Sequence, residues 1–520
     1  MRASPGSADR KENPMGLSSR AFRIRSRLLL VSLLTATALT GVLSGSVGAR
    51  TSAPTFGVPL YVDQQLAGGE PEVFADAMHG RLIYTAHEGT THLYRDGIVN
   101  SPWGDFSFVS NYCNQVNVWT STDGLNWFRD RYLDSPCPST PAKNTGFSDP
   151  DLTQDAGGRV YNTGIDLVND ALFSSADGGQ SWDKGTADCH DGDRPWLAGA
   201  KTNQVYMGTN TVEGDLSGDT VTASGVASSG HMVFVSNDGG ETCNAIGVKD
   251  YGSLPDGTGY SGFGKPYYDK LAHVLVEPAV FVHPDGTTGI GISVSNQAVT
   301  AFTPHEAVAN TSLYGHWPAI AIDSAGAVYV VWDTNDRQAG VTGGCSGAQA
   351  PAANSIMLVS TRDLGKSWSA PAAVAHPGTR VFWPWIAAGD AGKVSIVWYQ
   401  TEPQDGEPDL DCQPGHIHVM EASLTGATSK TPQKSVVDAV GRPVHIGQVC
   451  QGGTTCVATG QDRRLGDYFT NALDARGCVL IATGDTRLAD PLTGGPYPTS
   501  RPLFLRQNGG PRLIGSGSCP

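Results

Sequence analysis

Seven positions in this chain repeat a chemically loaded pattern. An acid, an arginine or a tryptophan stands directly before proline in Glu70-Pro71, Asp149-Pro150, Arg194-Pro195, Glu277-Pro278, Trp317-Pro318 and Trp383-Pro384, and Asp467 heads a seventh, proline-less copy. Brought together, such residues would make a compact polar centre. Paired carboxylates can divide proton donation and electrostatic stabilisation between them. A guanidinium can grip a carboxylate in two-pronged fashion. Indole faces suit stacking on a neutral sugar ring or an aliphatic side chain.

What must position them is a repeated strand meander. Trp317 to Ile322 reads as a short apolar strand, Asp323-Ser324-Ala325-Gly326 as a turn, and Val328 to Trp332 as a β-branched and aromatic second strand. Ile356 to Ser360 reads as a third strand, closing on Thr361 to Trp368. One such unit cannot bury both faces, so it must stack on copies of itself. Copies recurring at roughly 40–85 residues predict an all-β fold, a β-propeller of four-stranded blades. Seven blades fit best; six or eight are compatible with the two long gaps.

The expected blades begin at Glu70, Asp149, Arg194, Glu277, Trp317, Trp383 and Asp467, with 244–276 read as an irregular stretch ahead of the fourth. Residues 55–63 read as a leading strand that pairs with the last blade and removes the exposed edges. The stretch Gly257 to Gly262 formally fits GxGxxG, but no strand precedes it and Pro266 interrupts the segment after it, which excludes a dinucleotide loop. His416 and His418 alternate along one strand and face the same side. Their segment aligns with Gly230 to Val235, another third strand, so a structural role outweighs metal binding.

Composition agrees. The chain holds 65 Gly and 32 Pro with only 16% charged residues, as a turn-rich β protein does. Arg20, Arg23, Arg25 and Arg27 precede an apolar run from Leu28 to Leu43, and Val47-Gly48-Ala49 offers small residues for cleavage. Residues 1–49 therefore read as a signal peptide and 50–520 as one propeller domain, giving a secreted protein, expected to be monomeric, with no membrane span after processing. The formal net charge is −15, and the basic leader makes the remainder more acidic still. That excess disfavours nucleic acid and anionic membranes as partners. No cofactor is required, and weak Ca²⁺ binding is compatible with the charge. Export makes disulfides the default for the ten cysteines. Pairing in sequence order would link 113–137, 189–243, 345–412, 450–456 and 478–519. Neither CxxC nor HExxH occurs, which removes the usual zinc signatures.

The turn Ser175-Ala176-Asp177-Gly178-Gly179-Gln180-Ser181-Trp182 has variants at Ser121–Trp127, Ser236–Cys243 and Thr361–Trp368. The Asp accepts hydrogen bonds from its own turn, Gly takes positive φ, and Trp packs into the blade. These turns resemble the Asp-box (BNR) repeats of sialidase-like propellers, and the resemblance spans nearly all of 56–520. The blades opening at Arg194-Pro195-Trp196-Leu197-Ala198 and at Gly466-Asp467-Tyr468-Phe469, the latter leading to Gly484-Asp485-Thr486-Arg487, are similar to those of secreted bacterial members. The resemblance implies that Asp123, Asp177, Asp238 and Asp363 are structural and lie opposite the active face. It also implies a site at the mouth of the central channel. There Arg194, Arg337 and Arg487 would clamp a substrate carboxylate, Tyr468 or Tyr399 would be the nucleophile with Glu277 its partner, and Asp149 would be the acid/base. Glu70, Trp317, Trp383 and Asp467 would complete the substrate-binding ring. The expected function is a sialidase-type exo-glycosidase, or a hydrolase of another glycan using a carboxylate pair. The alternative is a non-catalytic propeller binding a glycan, peptide or surface partner. No Arg-Ile-Pro stands near the first blade, where catalytic sialidases keep a clamp arginine.

Overall fold

The computed structural model describes residues 53–520 except 90–91, 93, 95–115, 131–147, 167–168, 184, 187–188, 190–191, 212–229, 247–255, 312, 314–316, 335–354, 454–455 and 457–459. Residues 1–49, the expected signal peptide, lie outside them. The described strands form seven separate antiparallel sheets, and their first strands neighbour one another in a closed cycle. The fold is a seven-bladed β-propeller.

Blade one runs Glu72–Asp76, Arg81–Ala86, Asn117–Ser121 and Phe128–Arg129. Blade two has three strands, Ser148–Gln154, Val160–Asp166 and Asn169–Ser175, and an isolated bridge from Leu172 to Thr186 occupies the fourth place. Blades three, five and six follow the expected order, with inner strands Gly192–Gly199, Ala319–Ile322 and Val381–Ala388. Blade seven, built on Thr470–Leu473, Val479–Asp485 and Arg501–Gly509, takes its outer strand from the other end of the chain. Thr55–Phe56 and Leu60–Tyr61 both pair with Arg501–Gly509, closing the ring as the leading strand predicts.

Blade four departs from expectation. Its innermost strand is not the one carrying Glu277-Pro278 but the pair Gly259–Phe263 and Tyr267–Asp269, which both pair with Val274–Val282. The segment read as irregular is thus a strand broken at Gly264-Lys265-Pro266. Its Gly and Tyr content masked the alternation a strand normally shows, and the break delivers Lys265 to the propeller axis.

Neighbouring inner strands are not hydrogen-bonded as a sheet, so side chains bridge them. Glu72 of blade one accepts the Leu152 N–H of blade two at 2.5 Å, and Asp151 of blade two accepts the Leu197 N–H of blade three at 2.5 Å. Thr470 Oγ1 accepts the Val73 N–H at 3.3 Å across the closing seam. The axis is filled on one side by Trp196, Trp385 and Tyr468, with ring centroids 5.0–5.8 Å apart. The other side holds an ion cluster: Lys265 Nζ donates to Glu72 at 2.6 Å, Asp151 at 2.5 Å and the Leu152 carbonyl at 2.8 Å. All three charged groups are buried. Burial, then the facing Asp151, pushes the Glu72 carboxyl well above its usual range.

The boxed turns make the expected bonds. Asp177 accepts from the Ser175 and Ser181 hydroxyls at 2.8 and 2.6 Å and from the Gln180 and Ser181 N–H groups at 3.0 and 2.9 Å. Asp238 and Asp363 repeat the scheme with Thr242 and Ser367. Alternating strand direction puts these turns at the end of the blades away from the starts of the inner strands. Three expected disulfides form: Cys189–Cys243, Cys450–Cys456 and Cys478–Cys519. Cys412 is disulfide-bonded as well; Cys113, Cys137 and Cys345 lie outside the described residues. No described helix is long and apolar enough to cross a membrane.

Candidate functional site

The mouth is shaped by a repeated backbone distortion. Glu70, Asp149, Arg194 and Trp383 all have positive φ, at 49°, 50°, 61° and 51°. Each precedes a proline, which itself disfavours helical backbone at that position. In blades two, three and six the register shifts at this point, between Ser148 and Asp151, Asp193 and Trp196, and Phe382 and Trp385. Left-handed backbone at residues bearing a Cβ costs roughly 1–3 kcal/mol each and concentrates at functional sites. In blade seven the left-handed residue is Gly466, at 77°, so Gly466, not Asp467, is the equivalent of the residues before proline. Glu277 lacks the bulge because it sits on a second strand, paired with Ser293 in regular register.

Blades one, two, three and seven bring charged side chains together. Glu70 is the hub and is fully buried. Its Oε1 meets His92 Nε2 at 2.9 Å and accepts the Asp467 N–H at 3.1 Å; its Oε2 accepts the Ser148 hydroxyl at 3.2 Å and the Asp149 N–H at 3.3 Å. Burial alone would raise its carboxyl, but the charge of His92 and the hydrogen bond to it outweigh that and hold it down at about 2. Asp149, half-buried, goes the other way: burial, then the negative charges of Glu70 and Asp193, push it well above the usual carboxylate range. Arg463 grips Asp467 with two bonds of 2.6 and 2.7 Å. Arg194 lies 4.5 Å over the Trp317 ring, with Nη1 3.7 Å from Asp193. Its side chain is 25% exposed and that of Asp193 29%, so these two and Asp149 are what the cluster offers to solvent.

The other expected site residues do not join this cluster. Tyr468 is buried in the axial plug and its hydroxyl donates to the Pro150 carbonyl at 2.7 Å. Glu277 is fully buried, with Oε1 3.1 Å from His231 Nε2 and Oε2 without a hydrogen-bond partner among the described residues. Tyr468 and Glu277 are therefore not paired. Tyr399 is buried against Phe469, its hydroxyl 2.8 Å from Thr483 Oγ1. Trp317 and Trp383 are only 8% and 4% exposed; Arg194 covers the first, and Phe382 and Tyr399 pack the second. Neither indole has a face open for stacking; at Trp383 the inner-strand bulge turns the ring inward. Arg487 is exposed after the strand Val479–Asp485, and Arg337 lies outside the described residues.

Sequence reasoning missed Ser148, His92, Asp193, Arg463 and Lys265. Ser148 and Asp193 flank residues already singled out, and Asp462-Arg463-Arg464 just before Gly466-Asp467 is a dense charge run that carried a usable signal. Lys265 and His92 carried none, since each reaches the centre from a loop. Among the described residues no group of three or more His, Cys, Asp or Glu is arranged to hold a metal ion.

No protein-family model and no curated protein matches the chain. Solved structures do. A Dyadobacter fermentans protein of unknown function is 12% identical, covering 88% of this chain and 99% of its own, at a TM-score of 0.40. An ulvan lyase, a polysaccharide lyase, is 10% identical over 90% and 97%, at 0.42. A Trypanosoma rangeli sialidase is 11% identical over 89% and 57%, at 0.37. The likeness is one of fold alone.

Proposed function

We propose that this protein is an exported glycan-acting propeller that hydrolyses a neutral glycan at the blade one–two–three side of its mouth. Asp149 is the proton donor and Arg194 holds a substrate hydroxyl or carbonyl. The observation that supports this reading is Asp149 itself: a carboxyl raised well above the usual carboxylate range by burial and by the negative charges of Glu70 and Asp193, on a residue only partly buried and held on left-handed backbone beside Asp193 and Arg194. A carboxyl kept protonated beside carboxylates with other environments is the usual division of labour in glycosidic bond cleavage. Charge bookkeeping favours a neutral sugar. Arg463 answers Asp467, Arg194 faces Asp193, and Glu70 is consumed by His92, Ser148 and two N–H groups.

Sialidase-type cleavage is the less favoured form of the reading, because Tyr468 and Glu277 are spoken for by Pro150 and His231. A purely binding role draws on one observation: Glu70 and Asp467 are both locked, which leaves Asp193 as the second carboxylate within reach of a ligand.

The test is a release assay with the purified mature chain on neutral polysaccharides, aryl glycosides and sialosides. Asp149→Asn is expected to lower turnover by roughly 10²–10⁴, the usual worth of a general acid, and Arg194→Ala to raise KM more than it lowers kcat. Unchanged hydrolysis in Asp149→Asn would overturn the assignment. Glycan binding without release by the wild type would favour the binding role.

A further inference from the structure

The hydrogen-bond arithmetic around Ser148 carries one more step, which rests on the proton-donor reading of Asp149. Ser148 is buried, and its hydroxyl oxygen lies 3.0 Å from Asp149 Oδ1 and 3.2 Å from Glu70 Oε2. A serine hydroxyl has one hydrogen to donate and two lone pairs to accept with. Two ionised carboxylates would compete for that single hydrogen, leaving one of them facing an oxygen lone pair in a buried setting.

The neighbours decide which carboxyl carries the proton. Glu70 is fixed as an acceptor on every side, by His92, by the Ser148 hydroxyl and by the N–H groups of Asp149 and Asp467. An acid proton on Glu70 would displace one of those donors. Asp149 has no such set.

We infer that Ser148 and Glu70 are positioning residues that keep the proton on Asp149: the Asp149 O–H donates to Ser148 Oγ, and the Ser148 O–H donates to Glu70 Oε2. Every hydrogen in the chain then has an acceptor. On proton transfer to a leaving-group oxygen, Asp149 becomes a carboxylate, the donor bond to Ser148 is lost, and two negative carboxylates share one hydroxyl. The charged groups facing Asp149 are Glu70 ahead of blade one, Asp193 and Arg194 of blade three, and Arg463 and Asp467 ahead of blade seven, with Tyr468 beneath. Arg194 and Arg463 favour the carboxylate, so the Ser148–Glu70 arm works against them.

The test reads the proton directly. The full mature chain carrying ¹³C-carboxyl aspartate is titrated by NMR, with the Asp149 signal identified by its loss in Asp149→Asn. Ser148→Ala removes the acceptor for the Asp149 proton and is expected to weaken proton affinity about tenfold, the worth of one hydrogen bond. Glu70→Gln removes the facing negative charge and is expected to shift it in the same direction. Ser148→Thr, which restores the hydroxyl, should titrate as the wild type does and guards against a folding artefact. An Asp149 signal that titrates identically in wild type and Ser148→Ala overturns the inference. Because the readout is not activity, an intact titration response with no glycan cleaved would sink the hydrolytic reading alone.

Discussion

Lys265→Met is the sharpest test of how the blades are held around the axis. Lys265 Nζ sits between Glu72 and Asp151 and bonds the Leu152 carbonyl. Removing it leaves two buried carboxylates, on blades one and two, facing each other without a cation. Loss of one partner from a buried charge cluster costs about 3–5 kcal/mol. The folded unit, Thr51–Pro520, has an unfolding entropy of about 1 kcal/mol per kelvin at ~2.1 cal/mol/K per residue. The expected loss is therefore about 3–5 °C in Tm at pH 7.5. The sign with pH is also fixed. Burial and the facing Asp151 raise the Glu72 carboxyl, and loss of the Lys265 charge removes the main influence lowering it, so the variant's native state binds more protons than its unfolded state and its stability falls as pH rises. The deficit should thus shrink in acid, where Glu72 is protonated. Differential scanning calorimetry of wild type and Lys265→Met at pH 4.5 and 7.5 measures this. The triple change Lys265→Met, Glu72→Gln, Asp151→Asn should recover most of the loss, because amide oxygens still accept the Leu152 and Leu197 N–H groups. An unchanged Tm at pH 7.5, or a deficit that grows in acid, would refute the reasoning.

The rim of the disc supplies two further outcomes. His418 is held between Asp438 and Glu402 at 2.7 Å each, and the hydrogen bond to Asp438 leads the causes that raise its pKa. Its stabilising contribution is complete below the unfolded value and lost as pH rises through the folded one, so the Tm difference between wild type and His418→Gln should narrow between pH 5.5 and pH 8. Cys519→Ser opens a loop of 41 residues anchored at Cys478 and should cost up to about 4 kcal/mol on the chain-entropy estimate, seen as a drop of up to about 4 °C in Tm and earlier proteolysis of the C-terminal tail.

The ring was legible because blades one, two, three, five and six open on the same short code, an emphatic residue followed by proline. Seven copies gave the blade number, and the leading strand at 55–63 gave the closure. Blade four shows where that code misleads. Glu277-Pro278 matches it in letters, yet its strand is second in the sheet, because Gly259–Phe263 and Tyr267–Asp269 take the inner place through a strand that lacks apolar alternation. The site was half legible. Asp149, Arg194 and Glu70 do converge, since the bulge that proline marks turns all three to the mouth. Tyr468 and the two tryptophans do not present themselves there, since large rings at the axis are more stable filling it than facing water. His92, Lys265 and Arg463 arrive from loops or from another blade, and nothing in local sequence encodes such meetings.

The left-handed backbone separates what the fold needs from what the site needs. The bulge itself asks only for a residue that tolerates positive φ, and Gly466 shows how glycine meets that demand; a Cβ there would stand 2.3 Å from Glu70 Cγ. Glycine would serve the backbone at 70, 149 and 194 as well, with the strain relieved. Those positions instead carry two carboxyls and a guanidinium, and in each case the side chain reaches across to another blade or to solvent at the mouth: Glu70 to Ser148 and Asp467, Asp149 to Ser148 and the opening, Arg194 to Trp317. Trp383 is the contrasting case, its ring buried beside Phe382 and Tyr399, where apolar burial offsets the same strain. Arg194 recovers part of the cost by stacking over Trp317, whereas Asp149 is only partly buried. On the proposed reading, a proton donor at 149 and a substrate-holding guanidinium at 194 are what glycine could not supply.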